Sequence, residues 1–299
     1  MWYNLGRMKL PIQLKDAFPP RPVDLHKYSA GTVTVVGGSH RFVHAPAIAG
    51  LGARAAGAGL VHLVVPDASR IAAAALVPES TFLKQTATCV PPKADVTAIG
   101  MGLGVSPASE MLVSRLLSGS AGCFVLDADA LTVLANWYAN KTSALPVTTG
   151  QTLILTPHAG EAARLLATKS EEVLADREAA AQHLVERYNA IVVLKGPHTI
   201  VASPGTKKIF TCPAGNPYMA MGGMGDLLSG MIAARWAYLA HRLDLAPMPL
   251  AALAAASAVW LHAHASDTLV NSQPPIDPSL VNTAHAVASL RVQLENLQT

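Results

Sequence analysis

Six short runs of apolar residues, several of them β-branched, recur along the chain without polar alternation: 32–36 (TVTVV), 60–65, 96–99, 124–126, 153–155 and 191–194. A strand with one wet face alternates apolar and polar residues; a strand buried on both faces does not, and such burial is characteristic of parallel sheets covered by helices. Helical patterns follow several of these runs, at 45–56, 108–117 and 161–166. Strand and helix in turn predict an α/β sandwich of three layers, with a mostly parallel central sheet between two layers of helices. The last third differs. Residues 199–211 read as a hairpin turning at Ser203-Pro204-Gly205, and the chain is expected to be mainly helical after Asp226. The first 25 residues, with Pro19, Pro20 and Pro22, read as an extended lead-in to one domain spanning 1–299.

In folds of this kind ligands bind outside the carboxyl ends of the strands. The segments that fall there are Gly37-Gly38-Ser39, Gly100–Gly104, Asp127–Asp129, Thr156–Glu161 and Lys195–Thr199. Composition narrows the partners. The net charge of +3, from 22 Lys+Arg against 19 Asp+Glu, comes without a basic block, so no nucleic acid is expected. Residues 250–261 are the most apolar long stretch, but they are mainly alanine and are followed by His262, His264 and Asp267; a buried helix is expected, not a membrane span. Three scattered cysteines, Cys89, Cys123 and Cys212, offer no disulfide framework or thiolate metal site, which points to a reducing cytoplasm.

The most informative segment is Asn216–Gly230, NPYMAMGGMGDLLSG. Gly222, Gly223 and Gly225 surround Met224, and Asp226 precedes an apolar helical run. Glycines allow the backbone to turn its N–H groups inward, and a helix N-terminus adds about half a positive charge. Together they suit a phosphate in transfer, with Asp226 placed to take a proton from an attacking hydroxyl. An ordinary glycine turn with Asp226 as helix cap explains the same residues. Neither GxxxxGK[ST] nor GxGxxG is present.

GGMGD followed by an apolar helix resembles the GxGD signature of ribokinase-like kinases. The ordered set HKYSAGTVTVVGGS (26–39), IGMGLG (99–104), LDADAL (126–131), LTPHAGE (155–161), VVLKGPHTIVA (192–202) and GNPYMAMGGMGDLLSG (215–230) resembles one branch of that superfamily, the NAD(P)H-hydrate dehydratases. The resemblance implies a ribokinase-like fold and repair of hydrated NADH or NADPH (NADHX, NADPHX) at the expense of ADP or ATP, with Mg²⁺. It implies Asp226 as catalytic base. Substrate contacts would be Ala45, Gly102, Gly104, His158 and Asp226. The nucleotide would lie against Lys195, Gly196, Pro197, His198, Thr199, Gly223, Met224 and Gly225. It further implies a homo-oligomer, a tetramer, and a chain without the epimerase domain to which many bacterial members are fused.

The chain departs from the pattern in places. Arg41 and His44 replace glycines of the first loop, Tyr218 replaces the glycine of NPGMA, and Met221 and Met224 stand where threonine is common. Arg41 is a candidate contact for dinucleotide phosphates. Other residues keep two readings. Asp127 and Asp129 suit either a water-bridged Mg²⁺ or loop capping. Glu161 either approaches metal or phosphate or simply begins a helix. Lys195 either steadies a phosphate or reaches solvent. His262 and His264, two apart on a helix, do not share a face and are not expected to bind metal. A small-molecule kinase of the same fold and a non-catalytic nucleotide sensor remain the alternatives.

Overall fold

The computed structural model describes residues 10–119, 121–140 and 150–297. Among these residues nine strands form one sheet: β1 (Thr32–Val36), β2 (Leu60–Val65), β3 (Thr81–Lys84), β4 (Val96–Ile99), β5 (Cys123–Leu126), β6 (Thr152–Leu155), β7 (Ile191–Leu194), β8 (Ile200–Ala202) and β9 (Phe210–Thr211). The order is β3-β2-β1-β4-β5-β6-β7-β8-β9, parallel from β3 to β7, with β8 and β9 antiparallel as the expected hairpin. All six apolar runs are strands, within a residue at each end.

Successive residues of a strand point to opposite faces, and here both faces are dry. Val33, Val35, Ile191 and Val193 enter one core, while Val36, Val192 and Leu194 enter the other. The first core is completed by α1 (Ala45–Ala55), α8 (Met224–Ala240), α9 (Pro247–Val270) and α10 (Leu280–Asn296). The second is completed by α3 (Pro107–Leu117), α4 (Asp129–Asn140), α5 (Ala159–Leu166), α6 (Ser170–Ala175) and α7 (Arg177–Tyr188). This is the three-layer sandwich. The remaining helix, α2 (Asp67–Leu76), packs beside α1. α9 is long and apolar enough to cross a membrane, yet 72% of its most apolar window is buried within the fold, where Ala251, Ala254, Ala255 and Ala258 are fully enclosed.

The lead-in is not simply extended. Its first nine residues lie outside the described residues; beyond them a single 3-10 turn, Ile12–Leu14, precedes Ala17 and Phe18. Leu14, Ala17 and Phe18 are buried in the α9 core, and burying such a side chain stabilises by roughly 1.5–3 kcal/mol. Residues 14–18 therefore fold back onto the helical layer.

Two features aim the structure at one edge. The sheet grows from β1 towards β2 and β3 on one side, and from β1 through β4 to β9 on the other, so β1 and β4 flank a switch point. Hydrogen bonds then continue past the strands: Gly100 N–H to Val36 O, Asp127 N–H to Ile99 O, Thr156 N–H to Leu126 O and Lys195 N–H to Pro157 O. The loops after β1, β4, β5, β6 and β7 are thereby held side by side.

Candidate active site

α8 begins at this edge. Gly223 is its cap residue, at φ +95°, a left-handed angle that favours glycine. Its open side faces Ile48 of α1 and Leu280 of α10, leaving no room for a β-carbon, which would stand 3.0 and 2.9 Å from their methyl carbons. Asp226 is therefore not the helix cap; it sits in the first turn, and no side chain caps the helix. The first intrahelical bond runs from Leu227 N–H to Gly223 O. The N–H groups of Met224, Gly225 and Asp226 have no intrahelical acceptor, which makes this helix start an anion-binding element.

Beneath it lies a buried ionic network. Lys195 Nζ donates to Asp127 Oδ1 at 2.6 Å and lies 3.8 Å from Glu161 Oε2. Ser229 Oγ of α8 donates to Asp127 Oδ2 at 2.7 Å. Burial disfavours the Asp127 carboxylate, but Lys195, Ser229 and Thr156 outweigh it and hold its pKa below the ordinary value. Burial likewise opposes the Lys195 ammonium, and Asp127 and Glu161 overcome it, raising its pKa. A β-carbon on Gly225 would stand 3.3 Å from the ammonium. Lys195 is thus clamped under the helix start, with its side chain 18% exposed.

Asp226 is compensated less fully. Burial comes first, then the charges of Asp127, Glu161 and Asp129; against the opposing pull of Lys195 they push its carboxyl up to about 7. That value suits a group that must accept a proton near neutral pH.

The polar residues with two readings resolve locally. Asp129 Oδ2 accepts from Gly104 N–H at 2.7 Å, a loop bond. His158 and Glu161 form a reciprocal cap on α5: His158 Nδ1 accepts from Gly160 and Glu161 N–H at 3.0 and 3.3 Å, and Glu161 Oε2 accepts from His158 N–H at 2.8 Å. Accepting at Nδ1 leaves the His158 proton on Nε2. Glu161 begins its helix and faces Lys195 as well. Among the described residues no group of three His, Cys, Asp or Glu is arranged to hold a metal. With Asp127 taken by Lys195 and Ser229, these carboxylates do not fit a resident Mg²⁺.

A cavity of about 760 Å³ opens beside the α8 start. It is lined by the 195–199 loop, His158, Met224 and Gly225, the 214–222 segment, and Cys212, Leu228, Val259, His262 and Ala263. The structure therefore gathers Lys195, Gly196, Pro197, His198, Thr199, Met224, Gly225 and His158 around one space. Ala45, Gly102 and Gly104 lie elsewhere, at the β1–β4 switch point, where a β-carbon on Gly102 would stand 2.9 Å from that of Ala45. Gly223 and Asp226 do not line the cavity; Gly223 contacts α1, linking the two regions. Arg41 is exposed, its guanidinium 5.3 Å from the Phe42 ring.

Some site residues carry no local sequence signal. Arg177, on α7, donates to the carbonyls of Pro197, His198 and Leu194 and so fixes the 195–199 loop. Asp267, on α9, accepts from Gly215 N–H at 2.9 Å and Asn216 Nδ2 at 2.8 Å, fastening the start of the NPYMA segment.

A mostly parallel sheet between helical layers, with a glycine turn and an acid at an uncapped helix start, defines a ribokinase-like protein. A ribokinase-like superfamily protein from Enterococcus faecalis shares the fold with a TM-score of 0.76 over 94% of both chains at 23% identity. The sequence profile of the NAD(P)H-hydrate dehydratases matches residues 33–285, and the chain belongs to that family. The ADP-dependent (S)-NAD(P)H-hydrate dehydratase of Neisseria meningitidis is 35% identical over 269 residues, covering 89% of this chain and 86% of that protein. The bifunctional NAD(P)H-hydrate repair enzyme of Gloeobacter violaceus is 36% identical over 276 residues, 89% of this chain and 51% of that protein; the chain spans about half the length of such bifunctional relatives. The ADP/ATP-dependent NAD(P)H-hydrate dehydratase of Bacillus subtilis, crystallised with ATP and Mg²⁺, superimposes with a TM-score of 0.77 at 25% identity, covering 96% of this chain and 98% of that one.

Proposed function

We propose that this protein dehydrates the S-epimer of hydrated NADH or NADPH, using ADP or ATP as phosphoryl donor and releasing AMP or ADP with inorganic phosphate. The observation that carries the reading is Asp226: a partly buried carboxyl pushed up to about 7, in the first turn of a helix that no side chain caps.

Hydroxide is a poor leaving group and phosphate a good one. The Asp226 carboxylate takes the proton of the ring C6 hydroxyl. The C6 oxygen bonds to the terminal phosphorus of the nucleotide as the bond from that phosphorus to the bridging oxygen breaks. The ring nitrogen then pushes out phosphate with the C6–O pair, and loss of the C5 proton restores the double bond. The N–H groups of Met224, Gly225 and Asp226 face the phosphoryl group in flight; losing one such donor typically lowers a rate by about 10²–10³-fold. In this reading Ala45, Gly102 and Gly104 line the hydrated nucleotide's side, His158 offers Nε2–H to it, Arg41 is placed for its phosphates, and the 195–199 loop holds the donor.

The carboxylates provide no ready Mg²⁺ site, so the ion would come with the nucleotide, where it would neutralise phosphate charge. A homotetramer in a reducing cytoplasm completes the proposal. It is supported by the 51% apolar composition and by three free cysteines, and light scattering tests the assembly.

The deciding assay adds the protein to purified hydrated NADH with Mg²⁺ and either nucleotide, and follows the return of the near-ultraviolet absorbance of reduced nicotinamide. Nucleotide-dependent recovery with release of inorganic phosphate is expected, and the faster nucleotide identifies the donor. A stable phosphorylated product would point to a kinase. No recovery from a folded, nucleotide-binding protein would point to a sensor.

A further inference from the structure

Arg177 stands where its own helix does not favour it. It is the first residue of α7, at the positive end of the helix dipole, where a cation is disfavoured. Asp176 caps that helix, accepting from Ala179 N–H at 2.9 Å, and so fixes the place of Arg177. The half-buried guanidinium spends its hydrogen bonds on three carbonyls of another element. Nη1 donates to Pro197 O and, at 3.4 Å, to His198 O; Nη2 donates to Leu194 O at 3.0 Å. A β-carbon on Gly196 would stand 3.1 Å from Nη2, so the guanidinium lies directly against the loop. All five residues of the 195–199 loop line the cavity and Arg177 does not; it stands behind them.

Residues 196–199 make a turn with Pro197 and His198 at its centre, and Thr199 Oγ1 donates to Gly196 O at 3.0 Å across it. His198 has φ +52°. Proline at the first central position and a left-handed second one define a type II turn. That second position is ordinarily glycine, because a β-carbon resists the angle. A type I turn needs no such angle, and it differs by reversal of the central peptide. Here a histidine occupies the strained position, so the loop's own residues do not select type II. Arg177 does, by binding the carbonyls before and after the His198 α-carbon. The C=O and N–H of a trans peptide point opposite ways. Pro197 O on Arg177 therefore turns His198 N–H to the cavity side. Reversal would put a carbonyl oxygen there instead.

We propose that Arg177 is a positioning residue for the phosphoryl donor: by holding the 197–198 peptide it presents an N–H, and not a carbonyl oxygen, to the donor's phosphates. Backbone donors attract an anion and carbonyl oxygens repel it, so the orientation of one peptide sets the affinity. This inference rests on the reading of the loop as the nucleotide's.

Calorimetric titration of the intact protein with ADP and with inorganic tripolyphosphate, alongside steady-state kinetics, tests it. Arg177→Met is expected to weaken both ligands by about tenfold, and to raise KM for the nucleotide far more than it lowers kcat. Arg177→Lys keeps the charge but cannot span the two peptides; it is expected to bind nearly as poorly, and it serves if the Met variant does not fold. Adding His198→Gly to either variant is expected to recover most of the lost affinity, since glycine takes the left-handed angle without strain. A guanidinium acting by charge alone would be replaced by lysine and not by glycine. Wild-type affinity in folded Arg177→Lys, or no recovery with His198→Gly, therefore overturns the proposal. So does a loss confined to ADP, which would set the turn against the base. A wild-type protein that binds neither ligand removes the nucleotide reading and this inference with it. A wild-type protein that binds ADP no better than folded Arg177→Met removes the inference alone.

Discussion

An aspartate that takes a proton near neutral pH must hold it more firmly than an exposed one. Asp226 does so because its carboxylate is partly desolvated and stands near the charges of Asp127 and Glu161, and that arrangement leaves a mark on stability as well as rate. Its folded pKa, about 7, lies above its unfolded value, so the stabilisation is full below the unfolded value and is lost as pH rises through 7. Asp226→Asn should thus match the wild type near pH 4 and be more stable above pH 7, by on the order of 2–4 kcal/mol, as read from thermal melting against pH. The same variant should lower turnover by about 10²–10⁴-fold, the usual loss for a general base. Wild-type kcat/KM should fall on the acid side of 7. Asp127→Asn removes a neighbouring negative charge and leaves Lys195 with Glu161 alone beside it; both changes favour the Asp226 carboxylate, so the acid limb should move to lower pH. A limb that stays in place or rises would show that the Asp127–Lys195 pair does not act on Asp226. The sequence displayed Asp226, because GGMGD is contiguous. It could not display its tuning, since Asp127 and Lys195 meet across 68 positions and only the β5–β6–β7 register makes them neighbours.

At the scale of elements, the site depends on how closely α8 lies on α1. A β-carbon on Gly230 would stand 1.8 Å from Ala49 O, and one on Gly52 would stand 2.1 Å from Leu227 O. Backbone meets backbone there, so no side-chain shift can relieve an added methyl. Gly230→Ala and Gly52→Ala are each expected to cost about 1–3 kcal/mol or more, as overpacked cores do. They should also displace the α8 start, lowering turnover in the fraction that remains folded; melting and active-site-titrated kinetics separate the two effects. Wild-type stability in both variants would contradict this packing. The central strands were legible because burial on both faces removes polar alternation. β3 was not: it is an edge strand, TFLK, partly exposed along its length, and its pairing with β2 rests on backbone bonds. The sequence leaves Glu161 open between a metal or phosphate contact and a helix start, and does not show its bond to His158. The capping bonds that fix them arise only once the strand feeds directly into a helix.

At the scale of the whole molecule, one carboxylate joins pieces far apart in the chain. Glu295, near the end of α10, accepts from Arg21 Nε at 3.2 Å, Arg235 Nη1 at 3.1 Å and Arg291 Nη1 at 2.6 Å. Arg235, fully buried in α8, also donates to Ala17 O of the lead-in. Composition hides such a hub: 14% charged residues suggests a sparse surface, and nothing local marks Glu295 as enclosed. Burial pushes the Arg235 guanidinium down to about 10, but it stays charged at neutral pH. Three guanidinium groups would therefore lose their common negative charge, and one acceptor oxygen, in Glu295→Gln. Removing one partner of a buried ion pair typically costs about 3–5 kcal/mol, because the other charge remains enclosed. Glu295→Gln should consequently melt several degrees lower. Since Leu280, which packs against Gly223, lies at the opposite end of α10 from Glu295, kcat and KM per folded molecule should be unchanged. An unaltered melting temperature would mean that the three arginines find other acceptors. A stable variant with reduced kcat would mean that the lead-in and α10 hold the α8 start in place, and that the hub belongs to the catalytic framework.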